Sequence, residues 1–270
     1  MLTILIVFAV VGVAAGLIAG LFGLGGGVVM VPAMIYTFGA LAFPEAITVH
    51  LAVGTSLACI VVTASVAGWT HWQRGAIDWS LLKPLVPGVV LGAWLGAMVA
   101  SQLAGEQLKL AFAVFLMLVA LTMLRRLPSE GSALPGPVKL GVVAAAIGGF
   151  SSLFGVGGGS MTVPYLRFCG VAMARAVATS AALGLPIALS GAVSYVVQGW
   201  GEETLPEGAL GFVYLPAFLG LVLCSAPASR VGAKLAHRLP AAKLQKAFAI
   251  VLLLIAAQLL VSGMMSTAQA

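Results

Sequence analysis

The sequence predicts an all-α fold: a polytopic transmembrane helical bundle of two inverted repeats, about five segments each. Three observations predict it. Apolar runs of about twenty residues, the length of a membrane span, follow one another along a 270-residue chain that is 61% hydrophobic and 7% charged. Its mean hydropathy is +1.16, more apolar surface than a water-soluble domain can hide. The dodecapeptide LFGLGGGVVMVP, Leu21 to Pro32, returns 132 residues later as LFGVGGGSMTVP, Leu153 to Pro164, which marks a duplication. Finally, the basic residues collect in short loops, and their distribution sets the parity of each half.

Taken in order, the first-half segments are expected at about 2–22, 28–41, 46–69, 84–103 and 108–124. The first has no positive n-region and no clean small-x-small cleavage site, so it reads as retained and not as a secretory signal. It ends at the glycine cluster, and the second segment starts there. The third ends beside Trp69, Trp72 and Trp79, which flank a basic loop and suit an interfacial aromatic belt. Gly12, Gly16 and Gly20, and Gly88, Gly92 and Gly96 in the fourth, stand at four-residue spacing, a pattern for close helix packing. Leu134 to Val138, with Pro135, Gly136 and Pro137, reads as the joint. The chain therefore divides into a first repeat (1–128), a linker (129–138) and a second repeat (139–270).

The second half is expected at about 139–154, 160–168, 176–197, 209–227 and 244–262. Ser160 to Phe168 is too short to cross a hydrocarbon core that needs ~20 helical residues, so a re-entrant or broken hairpin is expected there. Merging each glycine-flanking pair into one crossing gives eight spans in place of ten. Loop charge separates the two counts. If each pair returns the chain to the side it came from, Arg74, Lys83, Arg125, Arg126, Lys139, Arg167, Arg175, Arg230, Lys234, Arg238, Lys243 and Lys246 share one side. Lys109 is then alone opposite with Glu45, Glu106, Glu202, Glu203 and Glu207. The eight-span count divides the cations more evenly. The positive-inside rule favours the return, with both termini non-cytoplasmic and the halves antiparallel.

The net charge of +6 lies in these loops and sets topology; it does not indicate nucleic acid. Cys59, Cys169 and Cys224 stand singly in apolar segments and read as packing residues. No Ser-His-Asp set, carboxylate pair or metal-ligand cluster is evident, so neither an enzyme nor a metal or cofactor is expected.

The repeated motifs carry the candidate site. Gly25, Gly26 and Gly27, with Gly157, Gly158 and Gly159, can take backbone angles closed to other residues. Pro32 and Pro164 each remove a backbone donor and are read as helix breaks. Broken backbone inside a membrane must be satisfied by protein or by a water-filled cavity, and a helix N-terminus facing such a cavity binds anions. AVGTS (Ala52 to Ser56) and AVATS (Ala176 to Ser180) place Thr55, Ser56, Thr179 and Ser180 at matched points. Their hydroxyls either bond back to the helix or bind the anion. His50, five residues before Thr55, is a candidate proton relay and His71 a candidate gate, with interfacial or solvated roles as the alternatives.

These motifs, together with RGAIDW (Arg74 to Trp79) and AVATSAALGLPIALSG (Ala176 to Gly191), resemble the TauE/SafE sulfite exporter family, the TSUP transporters, over nearly the whole chain. That resemblance implies a multi-pass protein of the bacterial inner membrane moving small sulfur-containing anions, such as sulfite, sulfoacetate or organosulfonates, or other small organic anions. Its members are usually described with seven or eight spans, against the parity read from charge. The halves differ at Gly54/Ala178 and Val28/Ser160, so the site need not be symmetric. The expected partners are a small anionic substrate and the lipid bilayer, with a homo-oligomer left open. A proton-coupled secondary transporter is the expected function; a channel-like anion pore and a non-transporting membrane subunit of a sulfur-handling system are the alternatives.

Overall fold

A computed structural model of the chain describes residues 2–22, 26–124, 135–236 and 241–267. Gly25, Arg125, Arg126, Arg238 and part of the linker lie outside these residues. Among the described residues the chain forms ten α-helices and one two-stranded hairpin. The helices of the first half are α1 (Leu2–Phe22), α2 (Gly27–Ala40), α3 (Glu45–Gln73), α4 (Trp79–Gln102) and α5 (Gly105–Leu124). Those of the second are α6 (Pro137–Leu153), α7 (Gly159–Phe168), α8 (Met173–Gln198), α9 (Leu215–Ala236) and α10 (Ala241–Thr267). Four stretches, Glu45–Gln73, Trp79–Gln102, Gly105–Thr122 and Ala174–Gln198, are long and apolar enough to cross a membrane. Leu91, Leu95, Leu223 and Leu254 are each more than half exposed, which in a bilayer is the lipid-facing surface.

Two helix starts differ most from expectation. Helix α4 starts before residue 84 because the Asp78 carboxylate caps it, accepting from the Ser80 amide at 3.1 Å; Pro84 and Pro87 fall inside the helix. Helix α9 starts at Leu215 because residues 209–214 turn back as a hairpin, β1 (Ala209–Leu210) against β2 (Val213–Tyr214), antiparallel with Ala209 opposite Tyr214. Gly208 (φ +86°) and Gly211 (φ +52°) supply the left-handed backbone that this reversal needs.

Packing follows a regular exchange. α1 lies along α9, α4 along α6, α3 along α8, and α5 along α10. Substituting each helix by the one five places on returns the same set of pairs. The small residues explain the closeness: a Cβ on Gly16 would lie 2.7 Å from Ser225 Cα, and one on Gly92 2.7 Å from Ala145 Cα. Backbone therefore meets backbone in both α1–α9 and α4–α6. α8 is also tied to α4, with Ser190 Oγ donating to the Val90 carbonyl at 2.8 Å and Ser194 Oγ to that of Trp94 at 3.2 Å. α3 is the most enclosed of the four candidate spans, with Leu51, Ala52, Val53, Leu57 and Cys59 fully buried.

Candidate functional site

The two glycine motifs meet at the helix pair α3–α8. A Cβ on Gly27, the first residue of α2, would lie 2.9 Å from Ile60 Cδ1 and 3.0 Å from Val156 Cα, and would collide with the Gly155 carbonyl. The start of the second helix thus touches the loop between the sixth and seventh. That loop is shaped by Gly155 (φ +66°) and Gly158 (φ +38°), and Gly158 is the N-cap of α7. Gly157 faces Ile60 of α3, while Gly158 faces Ile187 of α8. Gly26 caps α2 in ordinary right-handed backbone (φ −62°), and Gly159 opens α7. The chain does not break at the prolines. Pro32 and Pro164 lie inside α2 and α7; before α7 the interruption falls at Gly155 and Gly158, which leave helical backbone.

Ser56 reaches the same loop, its Oγ donating to the Gly155 carbonyl at 2.8 Å in a buried bond. Thr55 points to the other side of the core. Its Oγ1 accepts from the Tyr214 amide at 2.9 Å, also buried. Thr179, the counterpart of Thr55, accepts from the Asp78 amide at 3.4 Å. Ser180 is 2% exposed with no hydrogen-bond partner for its Oγ; Gly23, the counterpart of Gly155, lies outside the described residues. Ser56, Gly27 and Gly155–Gly159 therefore lie together, Thr55 faces away from them, and Thr179 and Ser180 sit about 10–12 Å along α8 from Ile187, at 1.5 Å per residue.

Gly54 explains why the two threonine contacts differ in length. A Cβ there would collide with the Phe212 carbonyl, so glycine lets the hairpin reach α3, whereas Ala178 stands at the matching point of α8. The Tyr214 side of the core is aromatic: Phe8, Phe38, Phe43 and Tyr214 form a cluster with ring-centroid distances of 5.3 to 6.1 Å. At the opposite end a cavity of about 360 Å³ lies between α3, α8 and the start of α4, walled by Trp69, Trp72, Ile77 and Trp79.

His50, 4% exposed, packs its ring on Phe212 at 5.2 Å. Its Nδ1 lies 3.1 Å from the Ala46 carbonyl and its Nε2 3.0 Å from that of Ala100, in the last turn of α4. A neutral imidazole carries one N–H, so both contacts are hydrogen bonds together only in the imidazolium. His71 is not part of this assembly; it lies in the last turn of α3, about 22 Å along the helix from Ser56. Near that end Asp78 meets Arg175 at 3.6 Å. The Ser80 hydroxyl, then the Leu81 and Ser80 amides and the Arg175 guanidinium, hold the Asp78 carboxyl below its ordinary value.

Sequence reasoning missed Tyr214 as a site neighbour, because it reads as part of an apolar run, and Thr162, which lies in the repeated dodecapeptide but has Met30, not a hydroxyl, as its counterpart. The Val28/Ser160 difference between the halves was the available signal for that turn. Among the described residues no group of three or more His, Cys, Asp or Glu side chains is placed to hold a metal ion.

The family profile of the sulfite exporter TauE/SafE matches residues 8–259, which takes in both glycine motifs and every contact above. The chain belongs to the TauE/SafE family. A TauE/SafE relative from Haemophilus influenzae, a probable membrane transporter protein, is 34% identical over 95% of this chain and 98% of its own length. The probable membrane transporter YunE of Bacillus subtilis is 25% identical over 97% of this chain and 99% of its own. One from Methanocaldococcus jannaschii is 26% identical over 88% of each. No solved structure matches the chain. With its apolar helices, membership in TauE/SafE makes this a multi-pass membrane protein of a transporter family.

Proposed function

We propose that the protein is a secondary transporter, not an enzyme, for small sulfur-containing anions of the sulfite, sulfoacetate and organosulfonate type. It works by alternating access in the bacterial inner membrane, and its two repeats (1–128 and 139–270) are inverted, with both termini non-cytoplasmic. The substrate is handled where the glycine loops meet α3 and α8, by Gly25–Gly27, Gly157–Gly159, Thr55, Ser56, Thr179 and Ser180. The observation that carries this reading is the convergence of Gly27, Ser56 and the Gly155–Gly159 loop, contributed by both halves, on Ile60 in the enclosed middle of the chain. Two supports stand beside it: the helix pairing is unchanged when the halves are exchanged, and an aromatic plug faces one end while a cavity faces the other. A bilayer-embedded site with one side sealed is what rocking of one half against the other requires.

The energy comes from a proton gradient, with His50 as the proton carrier. Its two carbonyl partners sit on α3 and α4, so loss of a proton removes a donor from one of them and loosens that contact. The test is sulfite and sulfonate flux into proteoliposomes. Unlabelled substrate on the trans side should accelerate labelled uptake, and Ser56→Ala and Thr55→Ala should weaken it. Flux without counterflow would make it a pore; unchanged affinity in Thr55→Ala, Ser56→Ala and Thr179→Ala would remove these hydroxyls from the site.

A further inference from the structure

We infer that the anion is held at one helix N-terminus only, that of α7, by Thr162 and Ser160, the matching first turn of α2 carrying no hydroxyl. This rests on the transporter reading above and narrows it from a symmetric central site to a one-sided one. The two helices begin alike, with Gly26-Gly27 and Gly158-Gly159, and then diverge. In α2 the first turn continues with Val28, Val29 and Met30, all buried and apolar. Met30 folds back over the helix mouth, its Cε 2.7 Å and its Sδ 3.1 Å from where a Gly26 Cβ would stand.

In α7 the same positions are Ser160, Met161 and Thr162. Thr162 is 1% exposed, and its Oγ1 has no hydrogen-bond partner. That oxygen lies 3.6 Å from where a Gly158 Cβ would stand, with Ile187 Cδ1 at 2.6 Å, so the α7 mouth pairs a hydroxyl with an apolar side chain where that of α2 has Met30. The Ser160 hydroxyl is likewise buried and unpartnered. The Met161 and Thr162 amides bond to the Gly158 carbonyl at 3.1 and 2.8 Å, and the Ser160 amide takes no partner among the described residues. Two buried hydroxyls without partners in one helical turn are free to complete a ligand's hydrogen bonds, and the positive end of the helix dipole favours an anion there.

The two hydroxyls and the Ser160 amide are three neutral donors, as many as the oxygens of a pyramidal SO₃ headgroup, shared by sulfite and organic sulfonates. A charge held by neutral donors is also released readily, as a transporter requires. α7 is 10 residues long, about 15 Å, or half a hydrocarbon core of about 30 Å, so its mouth lies near mid-membrane.

The full-length protein in nanodiscs would be titrated calorimetrically with sodium sulfite and with sodium methanesulfonate. Thr162→Val, which keeps the shape and removes the hydroxyl, should weaken binding of both about tenfold or more without changing the melting temperature. Thr162→Ser should bind like the wild type, and Val28→Ser should change nothing. Binding of both probes supports the shared headgroup; binding of sulfite alone supports the site with the inorganic anion as its ligand. If Thr162→Val does not fold, Ser160→Ala decides: weaker binding supports the site and wild-type binding overturns it. Wild-type affinity in both variants, with counterflow intact, overturns this site and leaves the transporter reading standing. A wild type with neither binding nor flux overturns both.

Discussion

Thr55 accepts a hydrogen bond from the amide of Tyr214, 159 residues away. Tyr214 stands immediately before α9, as Asp78 stands immediately before α4, and Asp78 donates its amide to Thr179. Each half's repeated threonine therefore ties down the start of the other half's fourth helix. The hydroxyls are doing for a partner helix what an N-cap residue does for its own. Their lengths, 2.9 and 3.4 Å, make the Tyr214 side the tighter of the two.

Thr55→Val should therefore leave the Tyr214 amide buried without an acceptor and lower stability by about 1–3 kcal/mol. Thr179→Val should cost less, because its contact is longer and only part-buried. Unfolding in mixed micelles, with Thr55→Ser as the retained-hydroxyl control, checks both. Equal losses in the two valine variants would refute the asymmetry.

Gly92→Leu should separate α4 from α6, since even a Cβ at Gly92 would stand 2.7 Å from Ala145 Cα. A loss of at least about 1–3 kcal/mol is expected from overpacking. Gly141→Ala, on α6 where nothing lies within 4 Å of a Cβ, should be neutral or stabilising by up to about 1 kcal/mol through helix propensity. Melting temperatures of the two variants, measured side by side, should move in different directions or by clearly different amounts.

Acid should weaken the Asp78 cap. Its carboxyl titrates below the ordinary 3.8 in the folded protein, so its contribution is complete above that value and is lost as pH falls through the lowered one. The wild type should therefore lose stability more steeply below about pH 4 than Asp78→Asn, which has no charge to lose. Parallel pH–stability curves for the two proteins would contradict this.

His50→Gln should uncouple protons from anion movement. Glutamine can still donate to one carbonyl but cannot take up a proton, so anion flux should persist while substrate-driven acidification of a dye-loaded lumen disappears. Acidification equal to that of the wild type would move the proton carrier elsewhere.

How much of this was readable beforehand varies by residue. The apolar runs located all ten helices, because a span's length and hydropathy are set locally by the bilayer. The four-residue ladder at Gly88, Gly92 and Gly96 announced close packing, and the structure supplies α6 as its partner. The hairpin at 209–214 was hidden because Leu210, Phe212, Val213 and Tyr214 are as apolar as the span that follows. Pro32 and Pro164 suggested breaks, yet the helices run through them.

The sequence by itself determined that this is a duplicated, multi-pass helical membrane protein of the TauE/SafE family, because hydropathy, repetition and family motifs are properties of the chain read in order. Only the tertiary structure decided what the repeated residues do. Ser56 and Ser180 are identical in sequence, but one bonds to Gly155 and the other has no partner among the described residues. Thr55 and Thr179 serve helices from the opposite half. A hydroxyl's role is fixed by the group it meets, and here that group lies 99 to 159 residues away, beyond anything that local spacing can encode.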